Sequence, residues 1–195
     1  MRKRFSLAGD YAGALEAAGN AMREGKVFIY PTDTVYGIGG NALDGKVCER
    51  VREIKGRDGK PFSIIVSDFS MLRRYCEVPE DKARYLFRYL PGPYTFLLEK
   101  KEDIPACPGS KIGVRVPLHS FIRKVSGDTG LPIIGTSANI SGQGSVFSFG
   151  KLDAGLVAKA DLAIDGGETL FRKESTIVDL VGMKVLRDGA GEFRF

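Results

Sequence analysis

The sequence predicts an α/β fold, a twisted mixed sheet covered by helices, and three observations predict it. Apolar runs of strand length alternate with segments of helical apolar spacing along most of the chain. The polar motifs fall where the apolar runs end, the place where α/β folds commonly hold ligands. The 195 residues are 43% hydrophobic and 27% charged, which suits one substantial core over 1–195 and leaves a second independent module unneeded.

Leu15, Ala18 and Met22 recur at helical spacing before Gly25, so a helix opens the chain and the run "KVFIY" follows as a strand ending at Pro31. Beyond "PTDTVYGIGGNA", Asp44 caps a helix whose apolar face is Val47, Val51 and Ile54 and which ends near "KGRDGKP". "FSIIV" is a buried strand, 68–75 and 80–89 are helices, and Pro91-Gly92-Pro93 leads into the strand "YTFLLEK". "IGVRVP" is a short strand, "HSFIRKVS" a helix and "LPIIGT" a strand. "DLAIDGG", "STIVDL" and "MKVLRDG" then read as three strands of an added antiparallel section.

The net charge of +5 favours anionic partners such as nucleotides, phosphates or RNA. Cys48, Cys76 and Cys107 form no CxxC pair, and His119 is the single histidine, so zinc chemistry is not expected. MRKRF has the basic start of a secretory leader, but Asp10 and Glu16 interrupt the segment after it and no long apolar stretch occurs. A cytoplasmic protein without membrane association is expected.

Thr32, Asp33 and Thr34 leave a buried strand beside backbone that Gly37, Gly39 and Gly40 keep accessible, which suits either a small polar ligand or a self-satisfied turn. Lys55, Arg57 and Lys60, with Ser63 just beyond, sit on a loop that can grip a polyphosphate or simply be solvated. On such a loop Lys55→Ala or Arg57→Ala would cost the fold only about 0.5 kcal/mol. Arg115 lies mid-strand between Val114 and Val116, so its side chain takes the face opposite theirs, as an edge charge or an anion ligand. In "PIIGTSANISG", Thr136, Ser137, Asn139 and Ser141 supply hydroxyls and an amide while Gly135, Ala138 and Gly142 clear room. On that reading Ala138→Leu blocks a ligand and spares the fold. No GxxxxGK[ST] or GxGxxG occurs, and no nucleophile triad is recognisable.

Taken in order, "PTDTVYG", the KGRxxxKPxS pattern of "KGRDGKPFS", "LPGPYTFLL", "IGVRVP", "TSANISG", "STIVD" and the final "RDG" resemble the YrdC-like family of threonylcarbamoyl-AMP synthases over nearly the whole chain. The resemblance implies an open sheet with a concave, basic ligand-binding face. It also implies an enzyme that joins L-threonine, bicarbonate or CO2, and ATP into threonylcarbamoyl-AMP and pyrophosphate for the threonylcarbamoyladenosine (t6A) modification of tRNA. Magnesium would accompany the phosphates with no protein side-chain ligand, and a downstream threonylcarbamoyl transferase would take the product. The family pattern places Lys55 and Arg57 as the catalytic pair on the nucleotide phosphates. It assigns Thr34, Thr136 and Ser175 to threonine, and Lys60, Ser63, Arg115, Ser137, Asn139 and Arg187 to the nucleotide. One departure stands out: Ser67 occupies the end of "KPFSIIVS", where many relatives have a histidine. Two other readings fit parts of the pattern. One is a module of this fold binding tRNA or double-stranded RNA, although the motif loops hold only Tyr36 and Phe62 for stacking. The other is the carbamoyl-adenylate domain of hydrogenase-maturation proteins, whose basic loop also contains KPF but whose zinc-binding cysteine pairs are absent here.

Overall fold

A computed structural model describes residues 3–56 and 59–195. Several of the helices begin at an aspartate side-chain cap. Asp10 Oδ1 accepts from Gly13 N at 2.8 Å and opens α1 (Tyr11–Arg23), and Gly25 turns the chain away with φ +64°. Asp44 Oδ1 accepts from Lys46 N at 2.9 Å and opens α2 (Gly45–Lys55), which buries Val47, Val51 and Ile54 and stops at left-handed Gly56. Asp68 caps α3 (Phe69–Tyr75) in the same way, Pro79 precedes α4 (Glu80–Tyr89), and α5 (Ser120–Thr129) ends at left-handed Gly130.

The strands form two groups. β1 (Lys3–Ser6), β2 (Phe28–Tyr30), β3 (Gly37–Gly39) and β8 (Leu162–Asp165) pair in the order β1-β8-β2-β3. β4 (Ser63–Ile65), β5 (Tyr94–Glu99), β6 (Lys111–Arg115), β7 (Ile133–Gly135), β9 (Thr176–Asp179) and β10 (Lys184–Arg187) pair as β10-β9-β5-β6-β4-β7. Parallel and antiparallel pairs occur in both, so the sheet is mixed, as expected. The two groups meet where β3 lies against β7. Ile38 N donates to Thr136 O at 2.9 Å, Ile134 N to Gly40 O at 2.9 Å, and Ala138 N to Tyr36 O at 2.8 Å.

Several expectations are corrected. β8 does not join β9 and β10 in an antiparallel section; it pairs in parallel with β1 and β2, and of the three expected strands β9 and β10 alone pair antiparallel with one another. The basic opening contributes the edge strand β1, and "GIG" in the PTDTVYG segment forms β3. The glycine-rich interval contains a 3-10 turn at Phe149–Lys151 and α6 (Ala154–Lys159), capped by Asp153.

Strand alternation divides the six-stranded sheet by face. Ile64, Phe96, Leu98, Ile112, Val114 and Val178 join the core that α2, α3 and α4 cover. Ile65 points the other way, into a second cluster with Phe28, Tyr30 and residues of α1 and α5. Ser63, Thr95, Leu97, Gly113 and Arg115 share that second face, and they floor a cavity.

Candidate active site

The cavity measures about 500 Å³ and opens on the sheet face away from α2–α4. Its floor is low because neighbouring strands place small residues side by side: Ser63 pairs with Gly135 on one side and Gly113 on the other. A Cβ at Gly135 would stand 2.7 Å from Ser63 Oγ, so that hydroxyl, which donates to Gly135 O at 2.6 Å, needs glycine beside it. The next row carries charge. Ile65 pairs with Arg115, and Ile177 pairs with Arg187, so two arginines rise from one face.

Arg115 is buried, and its Nη2 donates to Asp33 Oδ1 at 2.9 Å and Thr34 Oγ1 at 3.0 Å. Its Nε is buried without a hydrogen-bond partner among the described residues. Arg187 reaches Ser175 O through Nε at 3.0 Å and Nη2 at 2.9 Å, and pairs through Nη1 with Glu174 Oε2. Burial pushes the Arg187 guanidinium below its ordinary value, Glu174 pulls it back up, and the Arg115 cation pushes it down again. Two guanidiniums lining one cavity suit an anion, since a bound anion would relieve burial and repulsion together. Hydroxyls surround them: Thr32, Thr136, Ser137 and Ser175 line the same space, and Ser175 Oγ lies 2.8 Å from Thr95 Oγ1.

The structure thus brings Ser63, Arg115, Thr136, Ser137, Ser175 and Arg187 together around one cavity. Arg57 lies outside the described residues. Lys60 is exposed and does not line the cavity. Thr34, Lys55 and Asn139 are buried behind the wall instead of facing the space. The Thr34 hydroxyl lies 3.0 Å from Thr32 Oγ1 and accepts from Arg115. Lys55 is only 3% exposed; its Nζ donates to Ser137 O, to Asn139 O at 2.7 Å and to Asn139 Oδ1 at 3.4 Å. The solvated-loop description of Lys55 is therefore overturned, because an ammonium at the end of α2 finds carbonyls of the loop 136–142 within reach. Asn139 turns its amide onto Ile140 O at 3.1 Å and onto Gln143 O, which shapes that loop from inside.

Two further expectations change. Ala138 is fully buried in the core, so it clears no room for a ligand. Gly39 and Gly40 leave no open backbone either, because a Cβ at either would stand 2.4 Å from a main-chain oxygen, of Ile134 and Lys26 respectively; close packing requires them. Sequence reasoning missed Tyr30, Thr95, Lys111 and Glu174 as cavity residues. Lys111, Gly113 and Arg115 alternate along one strand, so the signal that placed Arg115 also reaches Lys111.

The fold agrees with the comparisons. A family model for the Sua5/YciO/YrdC proteins, described as "Telomere recombination", matches residues 20–189. The chain belongs to this family. Among the Sua5/YciO/YrdC relatives, a threonylcarbamoyl-AMP synthase of Chromobacterium violaceum is 36% identical over 88% of this chain and 91% of that protein. A threonylcarbamoyl-AMP synthase of Pyrococcus abyssi is 38% identical over 85% of this chain, which spans 50% of that longer protein. The crystal structure of P. abyssi Sua5 complexed with L-threonine superposes with a TM-score of 0.86 and 35% identity, over 97% of this chain and 57% of that one.

Proposed function

We propose that this member of the Sua5/YciO/YrdC family is a threonylcarbamoyl-AMP synthase, a nucleotidyltransferase that joins L-threonine, bicarbonate or CO2, and ATP. The observation that carries the reading is the pair Arg115 and Arg187 facing one cavity ringed by hydroxyls. That set suits a substrate with several anionic groups and a small polar amino acid. The names of the relatives support threonylcarbamoyl-AMP as the product, and the P. abyssi complex supports threonine as a substrate.

The reaction needs no nucleophile from the protein. The amine of threonine and CO2 give a carbamate and release protons. A carbamate oxygen then forms a bond to the α-phosphorus of ATP, while the bond from that phosphorus to the bridging oxygen breaks and its electron pair leaves with pyrophosphate. Such chemistry asks the protein for positioning and charge neutralisation. Arg115 and Arg187 supply the charge, Thr136 and Ser175 orient the amino acid, and Ser63 and Ser137 offer hydroxyls to the nucleotide. Lys55 acts one step back by holding the Ser137–Asn139 loop in place.

Among the described residues no group of three His, Cys, Asp or Glu could cage a metal ion. Glu174 lines the cavity but already pairs with Arg187 and accepts from Ser145 Oγ. These donors fit a magnesium ion carried on the triphosphate, where it would neutralise phosphate charge, with the protein adding hydroxyl or water-mediated contacts. The product would pass to a transferase that modifies tRNA, and the protein would work in the cytoplasm.

Incubation with ATP, bicarbonate and L-threonine, read by mass, is expected to yield pyrophosphate and threonylcarbamoyl-AMP. Equal pyrophosphate release without L-threonine would overturn the reading.

A further inference from the structure

We infer that Asp33 is a positioning residue that fixes Arg115 in the cavity and acts on ligand through that arginine. Asp33 is itself buried behind the wall, with 1% of its side chain exposed against 9% for Arg115, and it does not line the cavity. Its Oδ1 accepts from Arg115 Nη2 at 2.9 Å, beside Thr34 Oγ1 at 3.0 Å on the same nitrogen. Its Oδ2 accepts from Leu118 N at 3.1 Å, which ties the carboxylate to the chain just beyond β6. Its main-chain oxygen accepts from Phe171 N at 2.8 Å.

A guanidinium gripped at Nη2 by a fixed carboxylate and a fixed hydroxyl cannot rotate about its long side chain. That grip fixes how the guanidinium is presented to the cavity that Arg115 lines. Breaking a buried pair leaves the remaining charge uncompensated, so Arg115 without Asp33 would reorient towards whatever polar group it could reach. A displacement of about 1 Å in a positioned group can cost about a hundredfold in rate. The Thr34 hydroxyl serves the same anchor and is itself braced by Thr32, so the PTDT segment acts as a mount for the arginine.

The competing account is that Asp33 matters because it joins Leu118 and Phe171. A double-mutant cycle separates the two. Asp33→Asn keeps an oxygen for Leu118 N and leaves the main chain unchanged, and Arg115→Gln removes the cation. The inference rests on the synthase reading only for its probes, which are ATP and L-threonine titrated separately by calorimetry. Wild-type protein that binds neither sinks the synthase reading, and thermal unfolding of the same four proteins then decides the mount: a loss from Asp33→Asn that vanishes in the Arg115→Gln background supports it, and equal losses overturn it.

If wild type binds, Asp33→Asn is expected to weaken one of the two ligands at least about tenfold. In the Arg115→Gln background the same change is expected to shift affinity less than about twofold. Unchanged affinity in Asp33→Asn, or equal losses in both backgrounds, would overturn the inference. Should Asp33→Asn alone fail to fold, thermal unfolding of the double variant decides. Recovered folding once the unpaired cation is gone supports the mount, and a double variant that stays unfolded assigns Asp33 to its backbone contacts and overturns it.

Discussion

The Nζ of Lys55 donates to the main-chain oxygen of Asn139 at 2.7 Å, so the last residue of one helix holds a loop that lies 84 positions further along the chain. Replacing Lys55 by Met keeps the buried stem and removes the donor, leaving the oxygens of Ser137 and Asn139 without it. A destabilisation of about 1–3 kcal/mol is expected, or about 2–4 °C in Tm for each kcal/mol in a chain of this length. Calorimetry measures it, and an unchanged Tm would return Lys55 to the solvated loop.

Ala138→Leu is expected to harm the fold before it harms binding. Ala138 is fully buried in the larger core cluster, and the three extra carbons of Leu overpack it at a cost of about 1–3 kcal/mol. Urea unfolding should show a lower midpoint with an unchanged slope. Full stability with lost ATP affinity would instead place the side chain in the ligand wall.

His119 is the single histidine, so its titration is visible alone by NMR. Burial lowers its pKa below the ordinary 6.5, and the Asp33 carboxylate partly opposes that shift. A base with a depressed folded pKa stabilises the fold fully above 6.5, and that contribution is lost as pH falls from 6.5 through the folded value, because the unfolded chain takes the proton first. His119→Gln should flatten the stability profile in that window. Asp33→Asn should move the midpoint lower still, and a midpoint at or above 6.5 would contradict the burial of the imidazole.

The three cysteines should be silent to thiol reagents until the fold opens. All are buried, and burial pushes Cys48 up to about 11 and Cys76 and Cys107 up to about 12. At pH 8 only about a thousandth of Cys48 is thiolate. Disulfide-exchange labelling is expected to track the unfolding rate, whereas three fast-reacting thiols in folded protein would place them at the surface.

The features legible in the sequence were local. Asp44 and Asp68 announce their helices, α4 falls on the expected residues, and the valines flanking Arg115 assign its face. The features that could not be read depend on partners far along the chain. β3 is only Gly-Ile-Gly and becomes a strand because β2 and β7 offer it hydrogen bonds. β8 looks like its neighbours in composition, and only tertiary packing sends it to β1 and β2. In the site, the basic loop reads as one cluster, yet the rotation of α2 at its last turn brings Lys55 inward and leaves Lys60 outside. The partner of Arg115 stands 82 positions away, beyond any local pattern.

The stretch that joins the two sheets also walls the cavity: Thr136 and Ser137 line it, while Ile134, Thr136 and Ala138 bond to β3 and its flanks. Occupancy and the integrity of that joint are therefore thermodynamically linked. A ligand at one hundred times its Kd adds about 2.7 kcal/mol against any opening that empties the cavity. Amide protons of Ile38, Ile134 and Ala138, none of which needs to touch the ligand, should exchange with deuterium more slowly once it is bound.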